Sequence, residues 1–176
     1  MKKIIALSGS LRKDSFNTHL LHALQALAPS DVEITIFDIS TLPLFNSDLE
    51  ADFPKSAQAL KDAIAASEGV IIATPEYNRS VPGVLKNAID WASRPYGKNS
   101  FAKKPTLILG ASVGPIATAV AQSHLKQIML YLDAVVLGQP ELYIGVAQDK
   151  FDTQGVLTDS ATKEHLVNAL NVLLSH

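Results

Sequence analysis

The strongest constraint on the fold of this chain is a recurring order: a short apolar run, polar punctuation, then an amphipathic stretch of helical period. Ile4-Ile5-Ala6-Leu7 is too short for a helix and is closed by Ser8-Gly9-Ser10, so it reads as a buried strand. Phe16, Leu20, Leu21, Leu24 and Leu27 follow at helical spacing and stop near Ala28-Pro29. Val32 to Phe37 alternates apolar with polar, which predicts a strand nearer the sheet edge. Thr41 to Phe53 is irregular, and Pro54 then suits the first turn of a helix with Ala57, Leu60, Ala63 and Ile64 on one face. Gly69-Val70-Ile71-Ile72-Ala73 is a central strand ending at Thr74-Pro75, and Pro82 opens a helix carrying Val84, Leu85, Ala88, Ile89 and Trp91. Thr106-Leu107-Ile108-Leu109 is the fourth strand, 117–132 the next helix, and Ala134-Val135-Val136-Leu137 the fifth strand. Leu166, Val167, Leu170, Leu173 and Leu174 mark a last helix.

Five strands alternating with helices imply βαβ units, a parallel sheet and helices on both faces. The expected fold is a three-layer, doubly wound α/β domain with strand order 2-1-3-4-5, the competitor being 3-2-1-4-5. At 176 residues the whole chain, 1–176, is expected to form one domain with a core that needs no covalent staples. The absence of cysteine excludes disulfides, thiolate metal sites and a thiol nucleophile. Fifteen basic against seventeen acidic side chains leave a charge of −2, which argues against a dedicated nucleic-acid binder. No cleavable leader fits Met1-Lys2-Lys3 and the short run after it, and no apolar stretch reaches a membrane span of ~20 residues. A soluble, cytoplasmic protein is the expectation.

In such sheets ligands sit beyond the carboxyl ends of the strands, at the switch point. The loops to examine are therefore 8–17, 74–81 and 110–117. In the first, Gly9 allows a tight exit from the strand, and the free amides of the next helix face what lies above the sheet. Ser10, Ser15 and Asn17 add short donors and Arg12 a charged fork, an inventory suited to a phosphate monoester. Ser15 also reads as a plain helix cap. A Walker A loop is excluded because Asp14 and Ser15 stand where its second glycine and its lysine are needed, and a dinucleotide fingerprint because Leu11 and Asp14 replace its later glycines. In the second loop Pro75 and Pro82 stiffen the backbone, while Tyr77 and Asn78 offer an aromatic body and a donor–acceptor amide, as suits a flavin or purine.

The third loop contains Gly110-Ala111-Ser112-Val113-Gly114, a match to the nucleophile elbow, with Asp133 or Asp149 and His165 downstream in triad order. His165 falls inside the last helix pattern and no oxyanion segment is present, so Ser112 reads better as a loop donor. His19 and His22 lack a third ligand at metal spacing, His124 and His176 carry no motif, and Trp91 reads as core.

Ser10 to Asn17 after Gly9, together with Thr74-Pro75-Glu76-Tyr77-Asn78-Arg79-Ser80-Val81-Pro82-Gly83 and its continuation to Trp91, closely resemble the NADPH-dependent FMN reductase family. That flavodoxin-like family includes bacterial chromate, quinone and azo-dye reductases. The resemblance implies a tightly held FMN whose phosphate end is gripped by Ser10, Arg12, Ser15, Phe16 and Asn17. It implies further that Pro75, Glu76, Tyr77 and Asn78 line the ribityl chain and ring edge, with Ser112 on the third side. It implies hydride transfer from NADPH or NADH through FMN to quinones, flavins, azo compounds or chromate, in a homodimer or homotetramer. No side chain is singled out as a catalytic acid or base, and Arg79 is a candidate for the 2′-phosphate of NADPH. The alternatives are a non-enzymatic flavodoxin-type electron carrier and a serine hydrolase using Ser112. Where some chromate reductases resembling this chain carry a Gly-Gly pair and an arginine, it reads Ile116-Ala117-Thr118-Ala119-Val120-Ala121. That departure bears on acceptor preference, the NADPH contacts and the tetramer.

Overall fold

A computed structural model describes residues 1–176. Strand β1 (Lys2–Ser8) is central: its side chains alternate between two separate apolar layers, as a period of two requires. Ile4 and Ala6 join the layer closed by helices α1 (Phe16–Leu27) and α5 (Ser160–Leu174). Ile5 and Leu7 join the layer closed by α2 (Lys55–Ala66), α3 (Gly83–Ala92) and α4 (Ala119–Tyr131).

The sheet runs β2 (Val32–Phe37), β1, β3 (Gly69–Ala73), β4 (Pro105–Ala111), β5 (Val135–Val136), all neighbours parallel. Because β3 pairs with β1 and not with β2, the order is 2-1-3-4-5 and the competing order is excluded. The strand expected over 134–137 is shorter than its apolar run, and the fifth position of the sheet is shared. β5 covers the start of β4, and a sixth strand, β6 (Leu142–Ile144), pairs with its end, Leu109 to Ala111. Gly138, Gln139 and Pro140 separate the two; proline has no N–H for a ladder, so a continuous strand cannot run through it.

The β2 edge alternates as expected, with Glu33 and Thr35 exposed and Ile34 buried between them. Local signals account for most helix limits. Ser15 caps α1, Asp159 caps α5 through Thr162, and α2 and α3 begin directly after Pro54 and Pro82. The prolines stand one residue ahead of their helices and not inside the first turn. Trp91 is fully buried and donates from Nε1 to the Pro43 carbonyl at 2.8 Å. Phe45 and Phe53 meet its ring edge-on at 5.0 and 5.2 Å, which ties the irregular 41–53 segment to α3. No helix is long and apolar enough to cross a membrane.

Candidate active site

Three loops meet above the carboxyl ends of β1, β3 and β4. Gly9 makes the meeting possible: its N–H donates to the Ala73 carbonyl at 2.8 Å, and a Cβ there would come within 3.1 Å of Leu85 and Pro75. Beyond Gly9 the loop is internally braced. Ser8 Oγ lies 2.8 Å from Thr18 Oγ1, and Arg12 N donates to Ser10 Oγ at 3.3 Å. Ser15 Oγ accepts from Asn17 N at 3.2 Å, so the capping role is realised. The N–H groups of Ser15, Phe16 and Thr18 find no acceptor in the chain. They leave the start of a twelve-residue helix open to an anion.

Asn17 is buried, and its side chain does more than face this opening. Its Oδ1 accepts from Ala111 N at 2.9 Å and its Nδ2 donates to the Ala111 carbonyl at 3.1 Å. One amide thus joins the first loop to the end of β4. Arg12 is exposed, makes no ion pair, and carries its guanidinium 5.7 Å from the Phe16 ring centroid. On the far side of Phe16, His19 packs against Phe151 with ring centroids 5.9 Å apart, and burial holds its pKa below the ordinary value, the charge of His22 adding to the effect.

The second loop is a tight turn. Tyr77 and Ser80 exchange backbone hydrogen bonds, and Asn78 and Arg79 between them have φ of 50° and 60°. The N–H groups of Glu76 and Asn78 have no acceptor in the chain. On the third loop Ser112 is held by β6: its N–H donates to the Ile144 carbonyl at 3.0 Å and its own carbonyl accepts from Ala147 N at 3.1 Å. Ser112 Oγ accepts from Gly114 N and meets no histidine, while His165 is exposed on α5. The hydrolase constellation is not assembled.

All the candidate residues but Asn78 line one cavity of about 370 Å³. Ser10, Arg12, Ser15, Phe16 and Asn17 form one wall, Pro75, Glu76 and Tyr77 a second, and Ser112 with Ala111 and Val113 a third. The volume lies within the range of about 300–1,000 Å³ of small-molecule sites. Arg12 is the one cation on the wall, beside the open amides of α1. A phosphate monoester fits that corner, and a flat polar heterocycle fits the stiff edge opposite, with its free N–H groups and the Tyr77 ring. FMN has both parts. A larger groove, about 960 Å³, lies between α3 and α4, well away from the strand ends. No helix N-terminus opens onto it, so the smaller cavity, at the carboxyl ends of the strands, is the candidate site for chemistry.

Two features escaped the sequence reading. Glu76 lines the cavity with its stem, but its carboxylate accepts from Val120 N and Ala121 N at the start of α4. His124, which has no motif, meets Ser80 Oγ at 3.1 Å. The departure at 116–121 also has a structural meaning, because Ala117 has φ of 57°. An L-residue pays ~1–2 kcal/mol for that conformation, and glycine returns part of the gain as unfolded-chain entropy. Ala117→Gly is therefore expected to raise stability by about 0.5–1 kcal/mol, read as a Tm increase of about 1–4 °C. A lower Tm would show that the Ala117 methyl matters more than the backbone.

The chain matches the family described as NADPH-dependent FMN reductase over residues 2–149. A 2-hydroxy-1,4-benzoquinone reductase of a Burkholderia species is 51% identical to it over 164 residues, 93% of this chain and 90% of that protein. A quinone reductase of Escherichia coli strain K12 is 44% identical over 172 residues, 96% of this chain and 91% of the other. Among solved structures, FerB of Paracoccus denitrificans, a flavoenzyme NAD(P)H:(acceptor) oxidoreductase, superposes with a TM-score of 0.92 at 43% identity, over 99% of this chain and 96% of its own.

Proposed function

Since the chain belongs to the NADPH-dependent FMN reductase family, we propose that it seats FMN in the cavity of about 370 Å³ and uses NAD(P)H to reduce quinones there. The family makes it an FMN-dependent oxidoreductase with NAD(P)H as co-substrate. The carrying observation is the corner where the open amides of Ser15, Phe16 and Thr18 stand beside the Arg12 guanidinium. Ser10, Ser15 and Asn17 shape that corner around the phosphate. Pro75, Glu76, Tyr77 and Asn78 present the ring edge, chiefly through their backbone, and Ser112 closes the remaining side. The bound cofactor supplies two-electron transfer between NAD(P)H and an acceptor. The protein's own part is to bind, to orient and to hold the mouth open for two substrates in turn.

Quinones are the first expectation for the acceptor, on the printed names of the relatives. Free flavins, azo compounds and chromate belong to the same reading as alternatives. Residues 1–176 act in it as one FMN-binding domain, in the cytoplasm where NAD(P)H is supplied, and as a homodimer or homotetramer. The α3–α4 groove supports the assembly: Tyr96 and Tyr131 on its rim are 88% and 84% exposed. Light scattering should give two or four times the chain's 18.9 kDa, and a monomer mass removes that part.

The test of the whole is spectroscopic. The purified protein should take up FMN, bleach on NADPH under nitrogen, and recolour on adding benzoquinone. Protein that stays colourless with FMN, or stays yellow with NADPH, overturns the proposal. Arg79 is 67% exposed at the turn tip and pairs with Glu76 at 3.2 Å, so it can turn toward a phosphate outside the cavity. Arg79→Ala is expected to raise KM for NADPH about three- to tenfold while leaving that for NADH unchanged, a modest effect because the group is exposed. An unaltered ratio of the two KM values would remove the assignment.

A further inference from the structure

Glu76 is the one acidic residue on the cavity wall, yet its charge is spent behind that wall. The side chain is only 8% exposed. Oε2 accepts from Val120 N and Ala121 N, both at 3.0 Å, and Oε1 accepts from Arg79 at 3.2 Å. Helix α4 has no cap of its own: Thr118 makes no side-chain cap bond, and its hydroxyl accepts from Gln122 Nε2. The helix start is therefore satisfied by a residue 44 positions upstream. One turn later, the His124–Ser80 contact forms a second strut between the same helix and the same loop.

Between the two struts hangs the turn that carries Tyr77. Consecutive positive φ values at Asn78 and Arg79 suit an Asn-Gly pair, and arginine at the second place opposes that shape. The turn is not locally self-sufficient, and its geometry is over-determined from α4.

We infer that Glu76 is a positioning residue, which holds Tyr77 and the open Glu76 and Asn78 amides toward the flavin by anchoring their turn to the N-terminus of α4. The inference rests on the FMN reading. It assigns the Glu76 carboxylate to the helix and not to the cofactor, with its negative charge offset by Arg79 and the helix end.

The test is FMN titration of the apoprotein by flavin fluorescence, together with amide exchange at Val120 and Ala121. Glu76→Ala should weaken FMN binding about ten- to a hundredfold and speed exchange at both amides. Glu76→Gln, which keeps an acceptor for the helix, should stay within about threefold of the parent. Arg79→Gly added to Glu76→Ala should recover at least about threefold, because glycine accepts the turn's φ without strain. If Glu76→Ala fails to fold, Glu76→Gln with Ser80→Ala takes its place, and should bind FMN about tenfold more weakly than the parent. Parent-like FMN binding by Glu76→Ala, or by that double variant, overturns the inference. So does a Gln variant as weak as Ala with exchange unchanged, since the carboxylate would then act on the flavin directly. Failure of the parent protein to bind FMN is a different result, and sinks the FMN reading instead.

Discussion

Asn17→Ala is expected to lower both the stability of the apoprotein and its hold on FMN. The substitution strips two buried hydrogen bonds from the Ala111 backbone, at 2.9 and 3.1 Å, and leaves its N–H and carbonyl without those partners. A buried polar group left without a partner costs about 1–3 kcal/mol, so the pair together should cost roughly 3 kcal/mol. For a chain of this size that is a fall in Tm on the order of 6–12 °C. FMN affinity should fall with it, because the same amide keeps the phosphate corner in register with the Ser112 wall. Asn17→Asp should not rescue: it keeps an acceptor for Ala111 N, but sets a carboxylate against the Ala111 carbonyl and beside the phosphate. Thermal unfolding of the apoprotein decides the matter, and a Tm within 2 °C of the parent (under about 1 kcal/mol) would mean that the two loops are held together by something else.

Arg12→Ala should leave the first measurement alone and act on the second. The side chain is exposed and without an ion pair, so apoprotein Tm should be unchanged. FMN affinity should drop by about ten- to a hundredfold, the worth of a charge-assisted contact of roughly 1.5–3 kcal/mol. The two variants together separate building the corner from charging it. Salt gives an independent check, since the parent's dissociation constant should rise with ionic strength more steeply than the variant's. Arg12→Lys should lie between them, because an ammonium keeps the charge and loses the two-pronged geometry. Equal FMN affinity in parent and Arg12→Ala would put the phosphate somewhere else.

Most of the sheet was legible from local pattern alone. The apolar runs at 4–7, 69–73 and 106–109 and the helical spacings after them each report a contact made within one element and its face. The cavity walls were legible for the same reason: loops at the carboxyl ends of parallel strands converge whatever the details of packing. What stayed hidden depends on distant partners. The run 134–137 is apolar enough for a full strand, but Pro140 and the pairing of Leu142–Ile144 with the end of β4 cut it short. That Asn17 also ties the first loop to Ala111, 94 residues away, has no local signature. Glu76 reads as a wall residue until the bare start of α4 is seen. One signal was present: Thr118 is followed three residues later by Ala121, not by an acid, so α4 lacks a capping box and needs a donor's partner from elsewhere.

The unpaired side of β2 carries a liability of its own. Val32-Glu33-Ile34-Thr35-Ile36-Phe37 is a six-residue, β-branched segment with an open row of backbone groups, the kind of template on which fibrils grow. Stacked in register, copies of Glu33 would repel one another every ~4.8 Å, and that repulsion is the segment's one charged defence against polymerisation. A single carboxylate far from the cavity is thus the edge's own charged guard against self-association.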